Sequence, residues 1–369
     1  MVVFLRRSRA APRLPSDRFE LINELAKFAP GVRAQCCVAG ATPHQVIAVA
    51  LAAPAAHRLG VHTRQDRLPT GSDAPQWTSC AADTNGRVPH PYLKLVRSSA
   101  ILVQVTTVDV GGYTVEVHVT GGDDPPVVLV ASMGAPGTAW RTATDLLTTH
   151  PRLITYDRPG IGASPARPAP NPPLPYSAFA AELGVMLKRL GIVDSVVAVG
   201  HSFGSLIVRM LAAQHPDLVA GAVHVDGSLP RLAVWAGAES LVDGTEPHAT
   251  EVNAVAGKDE VDTMPLLTLP SVVLTRTPGR WQDPPPAPAI DREWQDTQAG
   301  LARQIGAHLV VATNSGHEML REAPDLVAYA IDAVVHAVRT RQSQAALDPG
   351  RLAAVGGRYV AADPLGGCW

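Results

Sequence analysis

Hydrophobic patterning divides the chain near residue 100. Upstream, from 1 to 98, Pro, Gly and Asp recur (Pro12, Pro30, Pro43, Pro69, Gly71, Asp73) without a sustained apolar period. Only Asp17 to Phe28 and Pro43 to Arg58 read as helical there. Downstream, Val103, Val105, Val108 and Val110 are followed by Gly111-Gly112 and then by Val115, Val117 and Val119. Two alternating runs joined at a glycine pair predict a β-hairpin.

Beyond the hairpin the pattern becomes continuous apolar runs alternating with amphipathic stretches. Val127 to Ala131, Leu153 to Asp157, Ser195 to Gly200, Gly221 to Asp226, Val272 to Thr275 and His308 to Ala312 are the runs. Apolar side chains at both alternating positions suit a strand covered on both faces. Between them, Ala139 to Thr149, Tyr176 to Leu190 with Ser177 as N-cap, Ser205 to Gln214 closed by His215-Pro216, and Asp325 to Arg339 read as helices. This alternation predicts an α/β fold: a mostly parallel eight-stranded sheet with helices on both faces and ligand chemistry at the carboxyl ends of the strands. Two stretches break the rhythm. Leu229 to Leu269 is too long for a simple connection and reads as an inserted cap, and Trp281 to Ala289, with Pro284-Pro285-Pro286, reads as an extended loop. From Gln342 to Trp369 the chain is dotted with glycine and reads as a loosely attached, disordered tail. The expected organisation is therefore an N-terminal extension over 1–98, partly helical or disordered, one domain over 99–341 with its cap at 229–269, and a tail over 342–369.

Composition narrows the partners. The 31 basic and 33 acidic side chains leave a formal charge of −2, so no whole-protein field draws in nucleic acid or an anionic membrane surface. The longest apolar run, Val46 to Ala56, contains Pro54 and is far shorter than the ~20 residues of a membrane span. The N-terminus turns basic after its apolar start, at Arg6, Arg7 and Arg9, which is the reverse of a secretion signal. Cys36, Cys37, Cys80 and Cys368 form no CxxC and have no histidines at zinc-site spacing, so free thiols in a reducing cytoplasm are expected, with no structural metal.

The chemistry lies at the strand ends. Gly200-His201-Ser202-Phe203-Gly204 is a G-x-S-x-G sequence placed between a predicted strand and a predicted helix. A turn that sharp leaves room only for glycine beside a strained residue, and it lifts the Ser202 hydroxyl above the sheet as a nucleophile. A serine needs a base, and of 13 histidines His317 stands directly after the strand ending at Ala312, on the same sheet edge. His201 is directed elsewhere by the turn, and His224 lies inside a strand as a buried, hydrogen-bonded side chain. The base needs an orienting carboxylate, for which Asp226, at a strand end before Gly227, is preferred over Asp283, with Asp291 third. Backbone donors for an oxyanion are expected from Phe203, after the nucleophile, and from Ala135, where Gly134 permits close approach and Pro136 has no N–H.

Met133-Gly134-Ala135-Pro136-Gly137, the stretch from Tyr156-Asp157-Arg158-Pro159-Gly160 to Ser164, Gly200-His201-Ser202-Phe203-Gly204 and Ser315-Gly316-His317 together resemble the α/β-hydrolase superfamily over about 101–340. The resemblance implies a Ser-His-Asp hydrolase with a helical cap after the sixth strand and no metal or organic cofactor. It departs from the family pattern in two places: Met133 replaces the usual oxyanion-loop histidine, and Gly279 stands where the acid after the seventh strand is usual. The expected activity is hydrolysis of a carboxylic ester of a small or medium apolar substrate through an acyl-enzyme, with Leu229, Leu232, Trp235 and Leu241 as apolar cap contacts. The alternatives are a proline-iminopeptidase-like amidase, which would call on Glu239 or Glu246, and a ligand sensor with slow or absent hydrolysis.

Overall fold

A computed structural model describes residues 2–6, 35–39, 46–50, 103–193, 195–231, 240–245, 247–281 and 288–360. The chain divides into two compact units, 1–96 and 97–369. In the first, Val2–Arg6, Gln35–Ala39 and Val46–Ala50 form a small antiparallel sheet with Val46–Ala50 in the middle. The helix expected from Pro43 to Arg58 is therefore a strand where it is described. Val46-Ile47-Ala48-Val49-Ala50 has no polar position to separate the two periods, and β-branched residues favour the extended form. The helix expected over 17–28 lies outside the described residues.

The second unit holds one nine-stranded sheet. Its strands are β1 Val103–Asp109, β2 Thr114–Thr120, β3 Asp123–Val130, β4 Pro151–Tyr156, β5 Val196–His201, β6 Val219–Val225, β9 Ser271–Thr275, β10 His308–Ala312 and β11 Gly357–Val360, while the separate hairpin β7 Ser240–Asp243 and β8 Thr250–Asn253 lies in the insertion. The order across the sheet is β11-β10-β9-β6-β5-β3-β4-β2-β1, parallel from β4 to β10 and antiparallel at both margins. The mainly apolar runs are the central strands: β5 and β9 are buried along their whole length. The chief helices are α1 Tyr176–Arg189, α2 Phe203–Gln214, α3 Ala254–Thr263, α4 Pro288–Ile305, α5 Pro324–Arg339 and α6 Pro349–Ala354. One apolar cluster joins α1 and α2 to one face of the sheet, and another joins α5 to the opposite face.

Several local expectations change. The ninth strand comes from the stretch expected to be a loose tail: α6, capped by Asp348 accepting from the Arg351 amide, leads into β11, which pairs antiparallel with β10. Tyr359 bonds the Leu347 carbonyl and Leu352 enters the core, so short-range pattern missed a segment stabilised by distant partners. Ala139 to Thr149 is only a 3-10 turn, Gly137–Trp140, and one helical turn, Arg141–Thr144. Ser177 is not an N-cap: α1 begins at Tyr176, and the Ser177 amide and hydroxyl bond Glu260 of α3 instead. The loop expected through Ala289 gives way at Pro288 to α4, whose proline occupies a first-turn position where its missing N–H is harmless. Within the described residues the insertion holds one helix, α3, together with the β7–β8 hairpin.

Register positions the site. His201 pairs with Val225, Val225 with Leu274, and Thr275 with Val311, so the next residues of β5, β6 and β9 leave the same sheet edge. The direction in which strands are added reverses between β3 and β5. That reversal sets the loop after β3 and the turn after β5 side by side at the carboxyl ends of the strands, the place where ligands bind in open α/β sheets.

Candidate active site

Ser202 sits between β5 and α2 with φ 53° and ψ −118°, a conformation unfavourable for a side chain with a Cβ. The turn is held by its Ser202 amide donating to the Val225 carbonyl (3.0 Å) and by the Ser202 carbonyl accepting from Ser228 (3.0 Å). Gly200 and Gly204 are required sterically: a Cβ on Gly200 would collide with the Gly204 carbonyl, and one on Gly204 with the Val130 carbonyl of β3.

His317 lies in the loop between β10 and α5, with its Nε2 2.9 Å from Ser202 Oγ and its Nδ1 2.6 Å from Asp226 Oδ2. An ionised carboxylate only accepts, so Nδ1 carries the proton and Nε2 is left as the acceptor for the serine hydroxyl. Ser202, His317 and Asp226 are thus brought together from three strand ends. His317 is further held by rings: Trp281 stacks on it at 5.5 Å and 15°, Trp294 meets it edge-on at 5.2 Å, and His201 lies 5.1 Å away. His201 is directed away from the serine, and its Nε2 donates to the His317 carbonyl (2.8 Å). Burial, with the charge of His317 adding to it, lowers the His201 pKa to about 4. His224 is the buried, hydrogen-bonded side chain expected, 2.9 Å from Ser205 Oγ, with burial and then Arg209 lowering its pKa to about 3.

Asp226 is fully buried and itself has a positive φ of 40°. Burial opposes its ionisation, but the hydrogen bond and charge of His317 and the Arg276 guanidinium outweigh it and hold the carboxyl below its ordinary value. Arg276, directly after β9, donates from its amide to Oδ1 (3.1 Å) and from Nη1 to Oδ2 (3.2 Å). Thr275 Oγ1 (3.0 Å) and Trp294 Nε1 (3.1 Å) also reach Oδ1. Asp291 takes no part as an acid: it accepts from Arg276 Nη2 at 2.7 Å and from the Gly279 amide at 2.9 Å. Asp283 lies outside the described residues.

The loop after β3 is fastened without a histidine at Met133. Arg158 donates to the Ala131 (2.9 Å) and Ser132 (2.6 Å) carbonyls, and Asp243 of β7 accepts from the Gly134 amide (2.7 Å) and from Arg158 Nε (2.7 Å). Asp157 accepts from the Gly137 amide at 2.8 Å. The Ala135 amide closes a turn on the Ser132 carbonyl at 3.1 Å, so as an oxyanion donor it would share its hydrogen with that bond. Phe203, the first residue of α2, carries one of the initial N–H groups that a helix cannot pair internally. Sequence reasoning missed Arg276, Trp281, Trp294 and Asp243. Arg276 left a faint signal, a cation directly after a mainly apolar strand.

A family model described as the alpha/beta hydrolase fold matches residues 125–244. Over 107 residues the chain is 34% identical to a protein of Escherichia coli O157:H7 named "Putative carbamate hydrolase RutD", and over 105 residues it is 36% identical to the protein of the same name from Serratia proteamaculans. These matches take in 29% and 28% of the chain and span only 39% and 38% of those relatives' lengths. Among solved structures, the chain is similar to a thermophilic esterase from Thermogutta terrifontis, with 22% identity and a TM-score of 0.46 over 64% of this chain and 98% of that one. The parallel sheet with its reversal between β3 and β5, and a family match over 125–244 that includes the turn carrying Ser202, lead to one assignment: this part of the chain has the α/β-hydrolase fold.

Proposed function

We propose that the chain is a serine hydrolase that cleaves a carboxylic ester of a small or medium apolar molecule through an acyl-enzyme. The observation that carries this reading is the continuous Ser202–His317–Asp226 hydrogen-bond chain, at 2.9 and 2.6 Å, on a strained strand-to-helix turn. Ser202 Oγ attacks the carbonyl carbon as its proton passes to His317 Nε2, and Asp226 stabilises the imidazolium. The developing oxyanion sits against the Phe203 amide and the loop bearing Ala135. His317 then protonates the leaving alcohol, and water repeats the attack on the acyl-enzyme to regenerate Ser202.

Apolar specificity is supported by the inserted segment: Leu229 is buried, and Leu241 of β7 packs with Met133 against the core. Leu232, Trp235, Glu239 and Glu246 lie outside the described residues, so the amidase reading gains no support from them. Four cysteines without a CxxC pair fit a reducing cytoplasm. No described helix is long and apolar enough to cross a membrane.

The test is a panel of p-nitrophenyl esters of increasing acyl length, aminoacyl anilides and a simple carbamate, assayed with wild type and Ser202→Ala. Turnover of short esters by wild type alone is expected. No turnover of any substrate by wild type, or equal turnover by the variant, overturns the reading, and preferential cleavage of anilides or carbamates replaces the ester assignment.

A further inference from the structure

Asp226 and His317 share their environment with a third charged group for which the three-residue relay has no use. Arg276 is as inaccessible to solvent as Asp226, both at 0% exposure. Its guanidinium carbon lies 3.8 Å from the ring centre of Trp281 and 4.9 Å from that of Trp294, the two rings that also pack on His317. One hydrogen-bonding arm of Arg276 meets Asp226 and the other meets Asp291. The same aromatic pair therefore confines the base and a permanent cation, with the carboxylate between them in the hydrogen-bond chain.

We propose that Arg276 is a positioning residue for the reaction: it fixes the Asp226 carboxylate and offsets part of the negative charge that His317 would otherwise feel. This rests on the serine-hydrolase reading for its catalytic meaning, but the electrostatic claim stands on the geometry. A carboxylate wholly removed from water needs a counter-charge to remain ionised. His317 cannot supply one while it is the neutral base that accepts the serine proton. Arg276 does so permanently, because guanidinium does not lose its proton in proteins. It leaves Asp226 anchored through Oδ1 by Thr275, Trp294 and its own amide, with Oδ2 turned to His317. The consequence for the base is directional. The fixed positive charge of Arg276 opposes, at His317, the negative charge of Asp226 that both groups contact.

Among the described residues, other charged or titratable groups also lie against this assembly. His201, at the end of β5, packs on His317; Asp291, from α4, faces Arg276; and Glu322 accepts from the Gly316 amide beside His317 at 2.7 Å. Of these, Asp291 lets the proposal be tested with the opposite sign. Removing its charge leaves Arg276 less compensated and must act on His317 in the reverse direction from removing Arg276 itself.

The experiment follows the His317 imidazole by NMR across pH and, in parallel, the acidic limb of kcat/KM for a p-nitrophenyl ester. Arg276→Met is expected to move both upward by about one pH unit or more, since charges a few ångströms apart in a buried site interact on that scale. Arg276→Lys, which keeps the charge, is expected to return both to near the wild-type position while kcat stays lowered by the imperfect grip on Asp226. Asp291→Asn is expected to move both downward. A merely structural Arg276 would lower activity in Met and Lys variants alike without moving the titration, and that result overturns the proposal. If Arg276→Met does not fold, Asp291→Asn decides alone: a downward movement supports the proposal, and none or an upward one overturns it. Wild type without ester turnover would defeat the hydrolase reading, whereas the imidazole titration still decides the role of Arg276.

Discussion

The Gly134 amide, in the loop after β3, donates to Asp243 Oδ1 in the inserted hairpin at 2.7 Å, and Asp243 is paired on its other side with Arg158. A carboxylate from the insertion thus does the fastening for which Met133 has no polar atom. It also means that the described part of the insertion cannot swing away as a free lid without releasing the loop beside Ser202.

Asp243→Asn keeps a carbonyl oxygen for Gly134 but leaves the Arg158 charge buried and unpaired. Losing one partner of a buried pair costs about 3 kcal/mol, so the variant should unfold at distinctly lower denaturant. Its kcat should fall about tenfold or more with KM changed less, because a loosened donor loop affects the transition state more than ground-state binding. Urea unfolding and steady-state kinetics with an ester check both; an unchanged kcat in a folded variant would remove Asp243 from any role in the donor loop.

Ser202 separates function from stability. Ser202→Ala should lose at least ~1,000-fold in kcat, yet it retains the positive φ and its strain. Ser202→Gly should be equally inactive but more stable than the alanine variant by about 1 kcal/mol, because glycine adopts this conformation without a Cβ penalty. Thermal unfolding of the two variants makes the comparison, and a glycine variant no more stable than alanine would show that the turn is not strained.

For the acid, Asp226→Asn should lower kcat by about 10,000-fold, since an amide facing His317 Nδ1 favours the wrong tautomer. Asp283→Asn should remain within about twofold of wild type. Activity retained by the first and lost by the second would reassign the acid to the proline-rich loop.

Stability should depend on pH through two histidines buried without charge. His201 and His224 have folded pKa values lowered to about 4 and about 3, against about 6.5 in the unfolded chain. The unfolded state therefore binds more protons between those values, so stability is complete above pH 6.5 and is lost as pH falls towards 4 and 3. His201 contributes up to about 3 kcal/mol of that decline and His224 up to about 5 kcal/mol. Asp226 has the same form, its folded pKa also lying below the unfolded one, but its window is more acidic. Its contribution is present above about pH 4 and is lost only as pH falls through the lower folded value. Melting temperatures between pH 7 and 4 should fall steadily, and His224→Gln should flatten the slope; a level profile would show that these rings are not held neutral.

Ser202 and His317 were readable from the chain because each follows a mainly apolar run within five residues and stands near a glycine, and such runs suit central strands whose ends share one edge. Asp226 was readable as a preference for the same reason, a carboxylate directly after an apolar run and before Gly227. The sequence by itself determined these local facts: apolar runs, turn chemistry and the residue types a nucleophile, base and acid require. It did not determine Arg276, the tryptophan pair around His317, Asp243 on the donor loop or the last strand, Gly357–Val360. Each of these acquires its role from a partner many residues away. Burial removes water and makes those distant charges and rings matter, and no local spacing rule records which of them folding will bring together.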